Sequence, residues 1–161
     1  MRSTFNFALP VMCLLAFSTS AMAADYTVKM LNRGSDNHVM VFEPAFLKIL
    51  PGDTVHFVPA DKGHDAGSID GMLPAGAQPF KGKLSQELSV TFQVPGLYGY
   101  RCAPHFGMGM VGLIEVGNNT ANLAAARQVK LPPLAAKHMA TLFDQAAQSV
   151  AADPAAAGAS H

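Results

Sequence analysis

Cysteine is nearly absent from this chain, which has two in 161 residues, Cys13 and Cys102. Cys13 lies in an N-terminal segment that reads as a leader. Met1-Arg2 gives a positive start, residues 5–17 are largely apolar, and Ala21-Met22-Ala23 offers small residues at an A-x-A cleavage site. Cleavage near Ala23/Ala24 removes Cys13 and leaves one thiol. That excludes an internal disulfide and leaves Cys102 in need of protection in an oxidising compartment; a metal bond is one means of providing it. Long apolar runs are also missing. A spanning helix takes about 20 residues, the leader's run is shorter, and none follows it, so membrane insertion is not expected. Charge is sparse, at 14% with a formal net of +0, or −1 once Arg2 leaves with the leader. Nucleic-acid binding needs a basic footprint and is excluded on that ground. No internal repeat is present, and the length beyond the leader suits one small domain.

What is present is a series of short β-prone runs between turns. Residues 26–31, 39–42, 45–50, 54–58, 87–94, 97–100 and 109–116 have strand character, with Leu88, Val90, Phe92 and Val94 alternating onto one face. Pro44 splits two runs, as at a strand junction or edge. Asn32 to Asn37, Pro51-Gly52-Asp53 and Pro95-Gly96 are turn signals. Regular short strands indicate a sandwich or a barrel. Residues 61–85, rich in Gly, Lys and Pro, read as a long irregular connection of the kind that often carries function. Beyond Gly117 the composition turns helical. Asn118 or Thr120 can cap a helix to about Lys130, Pro132-Pro133 breaks it, and residues 134–151 form a second. In the second, Leu134, His138, Leu142 and Gln145 fall near one stripe, with Met139 and Phe143 beside it. The expected organisation is a leader at 1–24, a β-domain at 25–117, a helical extension packed on it at 118–152, and a frayed Ala-rich tail at 153–161.

The run Cys102-Ala103-Pro104-His105-Phe106-Gly107-Met108-Gly109-Met110 carries the chemistry. It joins the last two strands at one end of the domain, where Pro104, Gly107 and Gly109 can turn Cys102, His105 and Met110 toward one point. A second imidazole must come from elsewhere. Gly63-His64-Asp65, in the polar connection, is the best candidate, since His56 lies inside a strand, His38 at a strand start and His138 on a helix. Two His, one thiolate and a weak axial Met make a blue-copper electron-transfer set. Three readings stand beside it. Cys102 with His105 can be a nucleophile and its base, but no orienting acid stands at recognisable spacing. A zinc site would use more Cys or His and no Met. A structural buried Cys would leave the neighbouring donors unexplained.

The segments Met30-Leu31-Asn32-Arg33-Gly34, Met40-Val41-Phe42-Glu43-Pro44-Ala45, Pro51-Gly52-Asp53-Thr54-Val55, Asp61-Lys62-Gly63-His64 and Ile114-Glu115-Val116-Gly117, with Cys102-x-x-His105-x-x-x-x-Met110, resemble the pseudoazurins, a cupredoxin family. The resemblance extends over essentially the whole chain beyond the leader, both C-terminal helices included. It implies a mostly β, Greek-key β-sandwich with two C-terminal α-helices, holding one type 1 copper ion, Cu(I)/Cu(II), through His64, Cys102, His105 and Met110. It also implies a non-enzymatic, monomeric, periplasmic electron carrier whose partners are nitrite reductase, nitrous-oxide reductase or c-type cytochromes of denitrification. A copper store or chaperone is the alternative. Around the ligands, the resemblance gives Asn32 the role of tying down the Cys-bearing loop. It puts Asp65 where the family usually has Asn, and Ala103 where Thr is common. It places an apolar patch of Met40, Pro104, Phe106 and Met108 about His105, within a basic rim of Arg33, Lys62, Lys81 and Arg101, with Lys83 nearby.

Overall fold

The computed structural model describes residues 22–152. Most of the expected leader, with Cys13, and the expected tail at 153–161 lie outside them. The strands are β1 (Asp25–Arg33), β2 (Val39–Glu43), β3 (Phe46–Ile49), β4 (Thr54–Pro59), β5 (Gly67–Ser68), β6 (Leu88–Thr91), β7 (Gly96–Arg101) and β8 (Val111–Val116), followed by helices α1 (Leu123–Ala126) and α2 (Pro133–Ala151).

They form a sandwich of two four-stranded sheets, ordered β2-β1-β4-β6 and β3-β8-β7-β5. Each sheet is mixed, because β1 runs parallel to β4 and β3 parallel to β8. The chain changes sheet between β2 and β3, at the cis Glu43–Pro44 peptide. Strand alternation supplies the inner faces. Val28 and Met30 of β1 and Val55 and Phe57 of β4 meet Tyr98, Tyr100, Ile114 and Val116 from the other sheet, and Cys102 and Met110 belong to the same core. Strands β7 and β8 are buried along almost their whole length. Their outward residues Leu97, Val111 and Leu113 pack beneath α2, on Met139, Leu142 and Phe143. A strand covered on both faces reads as a near-continuous apolar run.

The helices correct the sequence reading in two respects. The first helix has four residues rather than about ten, and its N-cap is Asn122. The Asn122 side chain is clamped to β7, accepting from the Leu97 N–H at 2.9 Å and donating to its carbonyl at 2.8 Å. That holds the segment against the sheet. The second helix is as long as expected, but its buried stripe is Ala135, Met139, Leu142, Phe143 and Ala146, while Leu134 is 50% exposed. Alanines without bulk of their own let the helix lie close on the sheet, and pattern reading underweights them. Arg127 joins the helices by pairing with Asp144 at 2.7 Å and lying over the Phe143 ring. Within the irregular connection, β5 is only two residues long and pairs with β7, too short to announce itself in sequence.

Candidate metal centre

The last inter-strand loop leaves β7 at Cys102 and enters β8 after Met110. The expectation of a strand beginning at Gly109 fails for a local reason: Gly109 has φ +86°, in the left-handed region where glycine is at ease. A 3₁₀ turn at Phe106–Met108 precedes it. The loop is closed by its own main chain, with Cys102 N–H donating to Met110 O at 3.1 Å and Met110 N–H to His105 O at 3.2 Å. Cys102 and Met110 are both fully buried at the end of the core.

His64 arrives from the connection after β4, on a turn that Gly63 makes with φ +90°. Ser85 fixes this turn from the far end of the connection. Its N–H donates to His64 O at 2.7 Å and its hydroxyl accepts from Gly63 N–H at 2.9 Å. Sequence reasoning passed over Ser85, which sits in an exposed polar stretch and has no motif to mark it.

Three of the four expected ligands present donor atoms to one another. Cys102 Sγ lies 3.7 Å from His64 Nδ1 and 3.5 Å from His105 Nδ1, and the two nitrogens are 3.1 Å apart. A point equidistant from these three atoms is about 2.0 Å from each, close to metal–imidazole bonds of ~2.0 Å and slightly inside metal–thiolate bonds of ~2.3 Å. Among the described residues this is the one cluster of three or more Cys, His or acidic side chains spaced to hold a metal ion. Met110 adds a thioether to the loop's end. The donor set therefore fits a soft first-row metal, and copper above others.

The surroundings prepare the donors. Asn32 Oδ1 stands 3.0 Å from His64 Nε2, and a carbonyl oxygen can only accept, so the ring proton is on Nε2 and the Nδ1 lone pair faces the centre. This places Asn32 on the His64 ring rather than on the Cys-bearing loop, where the resemblance had put it. The Asn32 N–H is itself held by Asp61 Oδ2 at 2.7 Å. Asp65 ties down the Cys-bearing loop, accepting the Ala103 N–H at 2.6 Å. Burial lowers the His64 pKa and the neighbouring His105 imidazole adds to that, which keeps His64 in the neutral, ligating form. Burial also raises the Cys102 thiol, against the backbone N–H groups of Asp65 and His105, which pull it down.

At the surface, His105 is half-buried whereas His64 is wholly enclosed. Pro104 and Met108 are exposed around it, Met108 at 44%, and Phe106 and Met40 are half-buried. Met40 has φ +54°, an uncommon backbone setting for a non-glycine residue. Arg33, Lys62, Lys81 and Lys83 are exposed, whereas Arg101 lays its guanidinium over the Phe106 ring at 5.0 Å.

Residues 28–117 match the family model for copper binding proteins of the plastocyanin/azurin family. The chain is 47% identical over 135 residues to a putative pseudoazurin of Rhizobium leguminosarum bv. viciae, covering 84% of this chain and 88% of the relative. It is 46% identical over 134 residues to a pseudoazurin of Paracoccus pantotrophus, covering 83% and 92%. The solved pseudoazurin from Methylobacterium extorquens AM1 superposes with a TM-score of 0.72 at 45% identity, covering 75% of this chain and 98% of that one.

Proposed function

Since the chain belongs to the plastocyanin/azurin copper-binding family, among its pseudoazurins, which are blue-copper electron carriers, we propose that His64, Cys102 and His105 would hold one copper ion, with the Met110 thioether as the weak axial donor of the set. The observation that carries the assignment is the triangle of Sγ and two Nδ1 atoms at 3.1, 3.5 and 3.7 Å. Copper, when bound, supplies a one-electron couple. The protein's own part is to keep the donors still: the Nε2–H bond to Asn32 orients His64, the Ala103–Asp65 bond holds the Cys102 side of the loop, and the main-chain ring from Cys102 to Met110 holds the rest. Donors that do not move leave little to reorganise when the charge changes.

His105 is the ligand that reaches the surface, so it is the route by which the electron enters and leaves. The exposed Met108 and Pro104 around it form a small apolar contact, and the basic residues at the rim steer acidic partners onto it. We assign the protein to the periplasm, exported through the leader at 1–24, where it acts as a monomer and not as an enzyme. Its partners on this reading are a reductase of denitrification, such as nitrite or nitrous-oxide reductase, and a c-type cytochrome. Residues 25–117 hold the copper and residues 118–152 brace the outer sheet. A thiol enzyme fits less well, because burial leaves Cys102 out of reach and raises its pKa, the opposite of an activated nucleophile.

The test is a titration of metal-free protein with Cu(II). One equivalent produces an intense visible thiolate-to-copper band. Because the raised thiol is protonated at neutral pH, about one proton is released per copper bound, and affinity falls as the pH is lowered. Cys102→Ser abolishes the band. A colourless adduct of the unsubstituted protein overturns the reading.

A further inference from the structure

Gly109 is where the metal loop meets the C-terminal helix. Its carbonyl accepts two N–H groups. One is that of Val111 at 3.0 Å, which closes a tight turn centred on Met110. The other is Nδ1–H of His138, at 2.8 Å, from the second turn of α2. Because a carbonyl can only accept, His138 carries a proton on Nδ1. The fit is close. A Cβ at residue 109 would lie 2.6 Å from His138 Nδ1 and 2.8 Å from its Cε1, so the ring occupies the space a side chain would take. Gly109 is therefore needed twice, for its φ of +86° and for the approach of this imidazole.

The residue after Gly109 is Met110, whose own carbonyl is held by Cys102 N–H. The two peptide groups flanking Met110 are thus gripped from different sides, the preceding one by α2 and the following one by the loop. The helix grip is firm, because the next residue along α2, Met139, is buried with Leu142 and Phe143 against Leu97, Val111 and Leu113 of β7 and β8. His138 itself stands at the margin of that stripe, half-buried. Packing alone does not call for a ring nitrogen at this position.

We propose that His138 is a positioning residue for Met110, through which the C-terminal helix sets how closely the axial thioether approaches the copper. This rests on the reading of Met110 as axial ligand. Loss of the Nδ1–H donor leaves the Gly109 carbonyl with Val111 alone. The turn then loosens, and the Met110 thioether would be held less closely to the other donors. Reduction potential in such sites follows the axial ligand, and a weaker axial donor favours the reduced state.

The experiment compares copper-loaded wild type, His138→Leu, His138→Gln and Met110→Leu by visible spectroscopy and voltammetry, with unfolding midpoints of the metal-free proteins measured alongside. His138→Leu is expected to raise the potential and shift the visible thiolate band, in the same sense as Met110→Leu and to a smaller extent. His138→Gln, which keeps an N–H donor, stays with wild type, and the metal-free midpoints of the two His138 variants agree. A His138→Leu protein with wild-type spectrum and potential overturns the proposal, as does an equal displacement in the Leu and Gln variants. If Met110→Leu changes neither readout, it is the axial assignment itself that fails. An independent check needs no variant: nitrogen NMR of the reduced protein places the His138 proton on Nδ1, and a neutral ring protonated on Nε2 alone refutes the contact.

Discussion

Asp65 puts a buried carboxylate one hydrogen bond from the loop that carries three of the proposed ligands. An asparagine there could accept the same Ala103 N–H through its Oδ1, so Asp65→Asn isolates the charge from the tether. A negative charge favours the more positive oxidation state of a nearby metal. At an effective dielectric of about 20, two unit charges separated by roughly 8 Å interact by about 2 kcal/mol, and about 1.4 kcal/mol corresponds to ~59 mV for one electron. Asp65→Asn is therefore expected to raise the reduction potential by roughly 50–100 mV, as read by voltammetry. An unchanged or lower potential refutes the charge argument. Residue reading located this carboxylate beside a ligand but gave it no partner. Nothing in the order of residues shows that the Ala103 N–H, 38 positions on, lies within 2.6 Å.

At the scale of the element, β7 and β8 are joined by an exchange of volume. Tyr100 and Gly112 stand opposite each other in the register. A Cβ at Gly112 would fall 2.2 Å from Tyr100 Cζ, and Tyr100 cannot retreat, since its ring is set edge-on against Phe42 at 4.7 Å and Phe57 at 5.1 Å. The Tyr100 hydroxyl, fully buried, has no hydrogen-bond partner among the described residues, and its burial pushes its pKa far up. Gly112→Ala is expected to destabilise the protein by about 2–3 kcal/mol through overpacking. Tyr100→Phe, which removes an unsatisfied group, should be neutral or stabilising by about 1 kcal/mol. Urea unfolding distinguishes the two. A Tyr100→Phe loss comparable to that of Gly112→Ala would show that the hydroxyl has a partner after all.

The same scale shows what was legible in the sequence. Strands with one clear alternating face, such as β1 and β4, were visible, as was the Cys102-to-Met110 loop, because its donors are rare residue types at short spacing. The start of β8 was not, since Gly109 reads equally as strand or turn until its φ is known. The buried stripe of α2 was displaced in the reading because Ala135 and Ala146 pack by smallness, whereas Leu134 looks like an anchor and is not. Asn32, Ser85 and His138 act through contacts 32, 21 and 29 residues distant in sequence, with no periodicity to announce them.

Over the whole molecule the balance of charge is close to zero, yet its placement is uneven. Arg33 follows Asn32, which holds the His64 ring; Lys62 stands two residues before His64; and Arg101 immediately precedes Cys102. Lys81 is bridged to Gly67, which pairs in turn with Arg101. These cations therefore stand beside the donors in sequence or through sheet pairing. Lys81→Glu is expected to slow second-order electron transfer with an acidic partner about tenfold at low salt, and the difference should shrink once the Debye length falls to about 3 Å near 1 M. Stopped-flow rates across an ionic-strength series decide it. Equal rates for both proteins at every salt concentration would remove the steering role.

Burial across the donor triangle is graded, with Cys102 and His64 sealed and His105 open on one side. The periplasm proposed for this chain is an oxidising compartment, where a bare sulfur is open to attack by small oxidants. Here the sulfur, the atom most easily attacked, is fully enclosed, and the exposed contact is an imidazole ring that such species oxidise poorly. The loop that gathers the ligands therefore also guards against short circuits.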